Sequence, residues 1–83
     1  MSYAYCYILY RVKLDKFYVG STSDIERRLE EHNRGKEKFT RTGLPWQLVR
    51  KEKFNSLIEA RRRECHIKKM KSRKFIETLI SSE

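Results

Sequence analysis

Two short tyrosine-containing segments lie near the start of the chain, Tyr5-Cys6-Tyr7 and Tyr18-Val19-Gly20. A helix-like segment follows the second one and carries Arg28 and His32, which are four residues apart and therefore neighbours on one helix face. Phenol groups can orient water, and a guanidinium group can hold a phosphate oxygen. This combination favours a site that cuts phosphodiester bonds over a simple packing core.

A single acidic residue, Glu64, falls near the middle of the inward arc predicted for a later helix. That arc is marked by the residues Leu57, Ala60, Cys65 and Ile67. A carboxylate buried there without a partner would cost several kcal/mol. We therefore expect either a neighbouring arginine or a metal ion to neutralise Glu64.

The chain is strongly basic, with 20 Lys and Arg against 11 Asp and Glu and a net charge of +9 over 83 residues. This balance predicts an acidic partner, most commonly nucleic acid. An apolar run near the ~20 residues needed to span a bilayer is missing, and no leader-like segment is present, so a cytoplasmic protein without a membrane partner is expected. The residues expected to contact phosphates are Arg27, Lys36, Lys38, Arg41, Arg61, Lys68 and Lys69.

Residues 1–83 are expected to form one domain with a small three-stranded antiparallel sheet. Strand-forming residues predict strands at Tyr3–Val12, Lys16–Gly20 and Trp46–Phe54, the first two joined as a hairpin. The first strand is apolar on both parities, which predicts that both sheet faces are covered. Gly20 is expected where the backbone bends or where another group approaches it closely.

Three helices are predicted from their capping residues. The Ser-x-x-Glu patterns Ser23–Glu26 and Ser56–Glu59 predict helices that run to about Asn33 and Met70. Ser72 is expected to cap a short final helix. The predicted order is ββαβαα, an α+β fold with helices flanking the sheet.

Each of these residues also has a purely structural interpretation. His32 could pack in the core, and Arg28 could pair with a carboxylate. Tyr3 and Tyr10 are interpreted as part of the sheet core, with hydroxyls that reach its rim. The cysteines are too few and too far apart for a disulfide framework or a zinc site, so both are expected to be reduced and buried.

Taken together, the motifs resemble the GIY-YIG nuclease superfamily over nearly the whole chain. The family's first motif corresponds to Tyr5-Cys6-Tyr7, which departs at the glycine and the isoleucine, and the second to Tyr18-Val19-Gly20. The family's helix arginine, the histidine after it and the metal-binding glutamate correspond to Arg28, His32 and Glu64. The chain is most similar to small bacterial members of the UPF0213 type, and also to the nuclease domain of branched-junction resolving enzymes.

The resemblance implies a phosphodiesterase that uses one divalent ion, Mg²⁺ or Mn²⁺, bound to Glu64. It also implies that Arg28 holds a phosphate oxygen, that Tyr7 deprotonates or orients water, that Tyr18 positions that water and that His32 supports proton transfer. Because a phenol has a pKa near ~10, base catalysis by Tyr7 requires positive charge to lower that pKa. Where some relatives have a lysine after the second motif, this chain has Ser21.

The expected function is therefore a metal-dependent DNA endonuclease that selects flexible or branched structure and has weak sequence specificity. So small a domain leaves little surface for reading bases. Two alternatives remain open. The first is a non-catalytic nucleic-acid-binding module with the same fold, and the second is a nuclease domain that needs a partner protein.

Overall fold

Three antiparallel strands form a sheet in the order β2-β1-β3, with β1 at Ala4–Arg11, β2 at Lys16–Thr22 and β3 at Gln47–Phe54. The computed structural model describes residues 3–33 and 46–81. The helices are α1 (Ile25–Asn33), α2 (Leu57–Met70) and α3 (Arg73–Ser81). This order confirms the predicted ββαβαα arrangement and the α+β class.

The central strand β1 is buried on both of its faces, as its apolar residues on both parities predicted. On one face, Ile8 packs with Val19 of β2 and Ile67 of α2, and apolar residues of α3 cover the same cluster. On the other face, Tyr7 and Leu9 pack with Trp46, Leu48 and the α1 residues Ile25 and Leu29. The sheet therefore separates α1 from the pair α2 and α3.

The hairpin register places the tyrosine of the first motif opposite the glycine of the second. Tyr7 pairs with Gly20, and Leu9 pairs with Tyr18. The strand β2 continues to Thr22, two residues beyond the predicted end at Gly20. The extra residues matter because one of them, Ser21, contacts Glu64 of α2.

The starts of all three helices lie close to their predicted positions, but one capping residue differs. Ser56 and Ser72 accept hydrogen bonds from the backbone N–H groups of Glu59 and Phe75, as expected. In α1 the cap is Asp24 rather than Ser23, because the Asp24 carboxylate accepts the N–H of Arg27 at 3.2 Å. Asp24 directly precedes the helix, which is where an N-cap side chain reaches the third N–H.

Two residues expected in the core are exposed. Cys65 lies on the solvent side of α2, whereas Cys6 is buried as predicted. The buried stripe of α2 is centred on Ala60 and Ile67, and Cys65 lies about 140° around the helix from Ala60. Tyr3 precedes β1 and is 45% exposed, so the prediction that it belongs to the core is wrong.

A charged cluster connects β3 with both α2 and α3. Glu52 accepts hydrogen bonds from Arg63 of α2 at 2.8 Å and from Arg50 of the same strand at 2.9 Å. Arg50 also donates to the backbone carbonyl of Leu79 in α3 at 2.8 Å. Burial would raise the pKa of Glu52, but the two arginines outweigh it and hold this pKa below its ordinary value of 4.5.

Replacing Glu52 by glutamine is expected to lower the free energy of unfolding at neutral pH by about 1–3 kcal/mol, because two part-buried guanidinium groups lose their shared acceptor. Since the folded-state pKa of Glu52 is depressed, its contribution is complete above about pH 4.5 and disappears as the pH falls through the folded value. Urea unfolding of both proteins at several pH values measures this. The difference in unfolding free energy between the two proteins should close in acid, and the exposed control Glu26→Gln should show a smaller difference at neutral pH. A difference that stays constant down to pH 2 would contradict the prediction.

Candidate active site

The Tyr7 ring lies directly against the backbone of Gly20 on the neighbouring strand. A Cβ atom at position 20 would be 2.5 Å from the Tyr7 hydroxyl oxygen, 2.7 Å from its Cζ and 3.1 Å from Cε1 of Tyr18. The close approach expected at Gly20 is therefore confirmed, and the approaching group is the phenol of the first motif. Only glycine leaves room for this phenol over β2.

Around Tyr7 and Tyr18 an aromatic cluster holds the two phenols in place. Their ring centroids are 6.3 Å apart, and the His32 ring meets Tyr18 edge-on at 4.6 Å. Trp46 contacts both Tyr18 and His32 at centroid distances of 6.3 and 6.2 Å. The Asn33 side chain accepts from the backbone N–H of Trp46 and donates to its carbonyl, which joins the end of α1 to the start of β3.

The Tyr7 phenol is buried, and its hydroxyl has no hydrogen-bond partner within residues 3–33 and 46–81. The Arg28 guanidinium lies beside it and lowers the pKa of Tyr7, because its N–H groups and its positive charge favour the phenolate. Burial raises this pKa more strongly, the nearby Tyr18 phenol and Glu64 carboxylate add to the increase, and the net shift is upward. With the protein's own groups alone, Tyr7 is a protonated hydrogen-bond donor at neutral pH, which is opposite to what a general base requires.

Glu64 is held at the β2 edge by two hydrogen bonds. Its Oε1 accepts from the Ser21 hydroxyl at 2.5 Å, and its Oε2 accepts from Lys68 Nζ at 2.6 Å. The Glu64 side chain is 21% exposed, so it lies at the rim of the predicted inward arc and not at its centre. Burial would raise the pKa of Glu64, but the bonds from Lys68 and Ser21 outweigh it and the net shift is downward. The partner is thus a lysine, not the expected arginine, and the carboxylate is ionised at neutral pH.

Arg28 is available to a ligand on the solvent side of the cluster. Its side chain is 44% exposed, and Nη1 lies 3.5 Å from Oε1 of Glu31. The same carboxylate accepts from Nε of Arg27 at 3.1 Å. The pairing of Arg28 with a carboxylate, one of the structural alternatives, is therefore present, although the contact is long and exposed and contributes little.

A cavity of about 300 Å³ opens beside Ser21 and Arg28. Its walls come from the end of β2, the start of α1 and the first half of α2. The basic residues that line it are Arg27, Arg28 and Arg61. Glu64 does not line this cavity, but Ser21, which binds Glu64 Oε1, forms part of its wall, so an anionic group bound by the arginines would lie near the candidate site.

The structure brings together all five residues that the sequence nominated for chemistry, which are Tyr7, Tyr18, Arg28, His32 and Glu64. They are linked by the ring contacts, by Lys68 Nζ at 6.0 Å from the Tyr18 ring centroid, and by the electrostatic effects of Arg28 and Glu64 on Tyr7. Of the nominated phosphate contacts, Arg27 and Arg61 line the cavity, Lys68 pairs with Glu64 and Lys69 is exposed on α2. Lys36, Lys38 and Arg41 lie outside the described residues.

Two residues of the site were not foreseen. Ser21 orients Glu64, and Trp46 supports His32 and Tyr18 from β3. The signal for Ser21 was its position immediately after the second motif, on the same strand face as Val19. For Trp46, a single large aromatic residue at the start of a strand was the available indication.

Glu64 is the one metal-binding candidate that the sequence named. In the part of the chain that the structure describes, no three His, Cys, Asp or Glu side chains are grouped so that they could hold a metal ion. Magnesium commonly binds proteins through one or two carboxylates and takes its other ligands from water and substrate phosphates. A single ionised and partly exposed carboxylate such as Glu64 fits that mode. Within residues 3–33 and 46–81, every helix is too short and too polar to cross a lipid bilayer.

Comparison with known proteins gives one consistent family. The model of the GIY-YIG catalytic domain matches residues 3–76. A UPF0213 protein of Streptococcus agalactiae serotype V is 46% identical over 66 residues, which are 78% of this chain and 74% of the relative. A UPF0213 protein of Staphylococcus haemolyticus is 44% identical over 69 residues, 82% of this chain and 83% of the relative.

A solved structure agrees with this assignment. The solution NMR structure of a UPF0213 protein from Bacillus halodurans is 38% identical to this chain, with a TM-score of 0.60. The match covers 95% of this chain and 83% of that one. The motifs, the fold and these similarities lead to one conclusion, which is that the chain belongs to the GIY-YIG family.

Proposed function

We propose that this protein is a metal-dependent endonuclease that hydrolyses phosphodiester bonds in DNA. The observation that carries the proposal is the position of Glu64, an ionised carboxylate at the edge of β2, close to two phenols and an exposed guanidinium. The match to the GIY-YIG catalytic domain spans all of these residues. The net charge of +9 favours an anionic substrate.

We assign Glu64 as the residue that holds one Mg²⁺ or Mn²⁺ ion. Such an ion, when bound, supplies Lewis-acid stabilisation of charge on the reacting phosphate and on its leaving oxygen. The carboxylate suits a hard cation because both of its oxygens carry negative charge at neutral pH. Lys68 Nζ lies 2.6 Å from Oε2, so the ammonium group has to move away from that oxygen for a cation to replace it.

The remaining roles follow from the positions of the side chains. Arg28 binds a non-bridging phosphate oxygen in place of its long contact with Glu31, and offsets the charge that develops there. Tyr7 is protonated, so we assign to it the orientation of the attacking water through its free hydroxyl. Tyr18 positions the same water, and His32, at 4.6 Å from the Tyr18 ring, supports proton transfer.

We propose that the enzyme selects DNA by structure and reads sequence weakly. Phosphate contacts set position and affinity without identifying bases. The basic side chains at the site, Arg27, Arg28 and Arg61, have the chemistry of phosphate contacts. In branched or flexible DNA a phosphate can move into the small site of this domain. A rigid duplex presents its phosphates in a fixed geometry that fits the site less well.

Cleavage assays with Arg28→Ala test this proposal. Labelled duplex, flap, junction and single-stranded DNA are incubated with Mg²⁺ or Mn²⁺. Arg28→Ala is expected to reduce cleavage about 10²–10³-fold, the typical effect of losing one group that stabilises transition-state charge. Arg62→Ala removes an equally charged, exposed arginine from α2 outside the cavity and should retain cleavage.

One observation favours a second candidate, a non-catalytic nucleic-acid-binding module. Both oxygens of Glu64 already have partners, Ser21 and Lys68, and a site used only for binding could keep that arrangement. Binding of DNA without cleavage of any substrate would support this candidate. If the protein neither bound nor cut DNA, a nuclease domain that depends on a partner protein would be favoured instead.

A further inference from the structure

A second cavity, of about 450 Å³, runs along β2 towards the junction of α2 and α3. It begins at Tyr18 and Lys68, which also border the candidate active site, and extends to Asp15 and Arg73. We call this cavity the β2 groove. Its lining consists of Asp15, Lys16, Phe17, Tyr18, Val19, Ile67, Lys68, Lys71, Ser72, Arg73 and Ile76.

The β2 groove combines an apolar floor with a cationic rim. Val19 and Ile67 are buried and belong to the core, so they form the floor together with the half-buried Ile76. The rim is made by exposed basic residues, which are Lys16, Lys68, Lys71 and Arg73. A ligand that fits both surfaces needs a flat apolar part and a negatively charged part.

Two of the rim cations are free to meet a ligand. Lys68 pairs with Glu64, and Arg73 pairs with Asp15 at 2.6 Å. For the ammonium groups of Lys16 and Lys71, the described ranges 3–33 and 46–81 contain no ion-pair partner. These two lysines therefore leave positive charge without compensation at the groove.

Lys71 occupies a backbone conformation that does not suit a lysine. It follows the last residue of α2 with φ 48° and ψ 40°, and its N–H donates to the carbonyl of Lys68 at 3.2 Å. Glycine is the residue usually found at this left-handed position after a helix, because a side chain there is strained. A strained residue that keeps a free charge over a groove is a candidate for binding.

We propose that the β2 groove binds unpaired nucleotides of the DNA strand that adjoins the scissile phosphate, a proposal that rests on the proposed function. Bases can lie on the apolar floor and beside Phe17 and Tyr18 only if they are not stacked within a duplex. Their phosphates then meet Lys16 and Lys71. The substrate class is accordingly DNA with a single-stranded segment next to the cut, such as a flap, rather than blunt duplex.

The variant Lys71→Gly tests the groove proposal, because it should weaken binding of single-stranded DNA without lowering the stability of the fold. Fluorescence anisotropy with single-stranded, flap and blunt duplex DNA is measured over a range of salt concentrations in EDTA, so that cleavage cannot interfere. The substitution removes one phosphate contact, and the slope of log affinity against log salt should fall by about 0.7 for single-stranded DNA. The slope for blunt duplex should not change, and the melting temperature should not fall because glycine relieves the strain.

Lys74→Ala is the matched control. It removes the same charge from the exposed side of α3, outside the groove lining, and should leave the single-strand slope unchanged. Three results would each overturn the groove proposal. They are equal losses of salt slope for Lys71→Gly and Lys74→Ala, equal losses for single-stranded and duplex DNA, and no DNA binding at all. Selective binding by a protein that cuts no DNA with any metal ion would instead refute the proposed nuclease activity and leave the groove's binding role standing.

Discussion

Replacing Glu64 by glutamine is expected to reduce DNA cleavage about a thousandfold while DNA binding persists. The amide keeps the size of the carboxylate and can still accept from Ser21, but it lacks the charge that would hold a divalent ion. Metal assistance contributes several kcal/mol to such reactions, and each 1.4 kcal/mol corresponds to about a factor of ten in rate.

Metal binding can be measured for this variant independently of activity. Mn²⁺ should broaden the NMR signals of Ser21 and Lys68 in the parent protein and leave them sharp in Glu64→Gln. The exposed control Glu26→Gln removes a carboxylate from the first turn of α1 and should retain both cleavage and broadening. Since the Glu64–Lys68 pair is partly exposed, its loss should change the free energy of unfolding by less than about 1 kcal/mol. Full cleavage by Glu64→Gln would refute the assigned role of this residue.

The second large effect is expected from Gly20→Ala. The new methyl group would lie 2.5 Å from the Tyr7 hydroxyl oxygen and 2.7 Å from Cζ, so the phenol has to move away from β2. Tyr7 is buried and cannot swing into solvent at low cost. We expect a loss of about 1–3 kcal/mol in the free energy of unfolding, as for other overpacked cores. Cleavage should fall about 10²-fold, because a displacement of about 1 Å is enough for such a loss.

A double-mutant cycle shows whether the effect of Gly20→Ala acts through Tyr7. In a Tyr7→Leu background the ring is gone, so the added methyl group should cost much less than in the parent protein. Urea unfolding of the four proteins gives the coupling energy, which should be about 1–3 kcal/mol for groups in direct contact. Additive effects, within about 0.5 kcal/mol, would mean that position 20 acts on the fold by another route.

The fold was largely predictable because its signals are local. The caps Ser56 and Ser72, and the strand-forming runs on either side of residues 14–16, depend on neighbours within a few positions. The misplaced cap at Asp24 and the exposed Cys65 are small errors of the same local kind. Sequence periodicity does not define a helix start to within one residue, nor the edge of a buried helix face to within one or two side chains.

For the candidate site, the sequence nominated the residues but not their partners. Tyr7, Tyr18, Arg28, His32 and Glu64 could be chosen because their types and order match a family pattern, and their catalytic roles stay predictions. The contact of Ser21 with Glu64 spans 43 positions and exists only because α2 packs against β2. Lys68, by contrast, lies one helical turn after Glu64, so this ionic pair is local to α2 and follows from the i,i+4 spacing.

The amino-acid sequence therefore contains the order of the strands and helices and the residue types available for chemistry. It does so because capping, alternation and helical periodicity act between near neighbours. Which side chains are buried, and which protonation states they adopt, depends on the tertiary structure. Arg11, a charged residue, is buried at the end of β1, and Tyr7 has a raised pKa, because both depend on how much water distant segments exclude. That quantity is a property of the folded surroundings and has no counterpart in local sequence pattern.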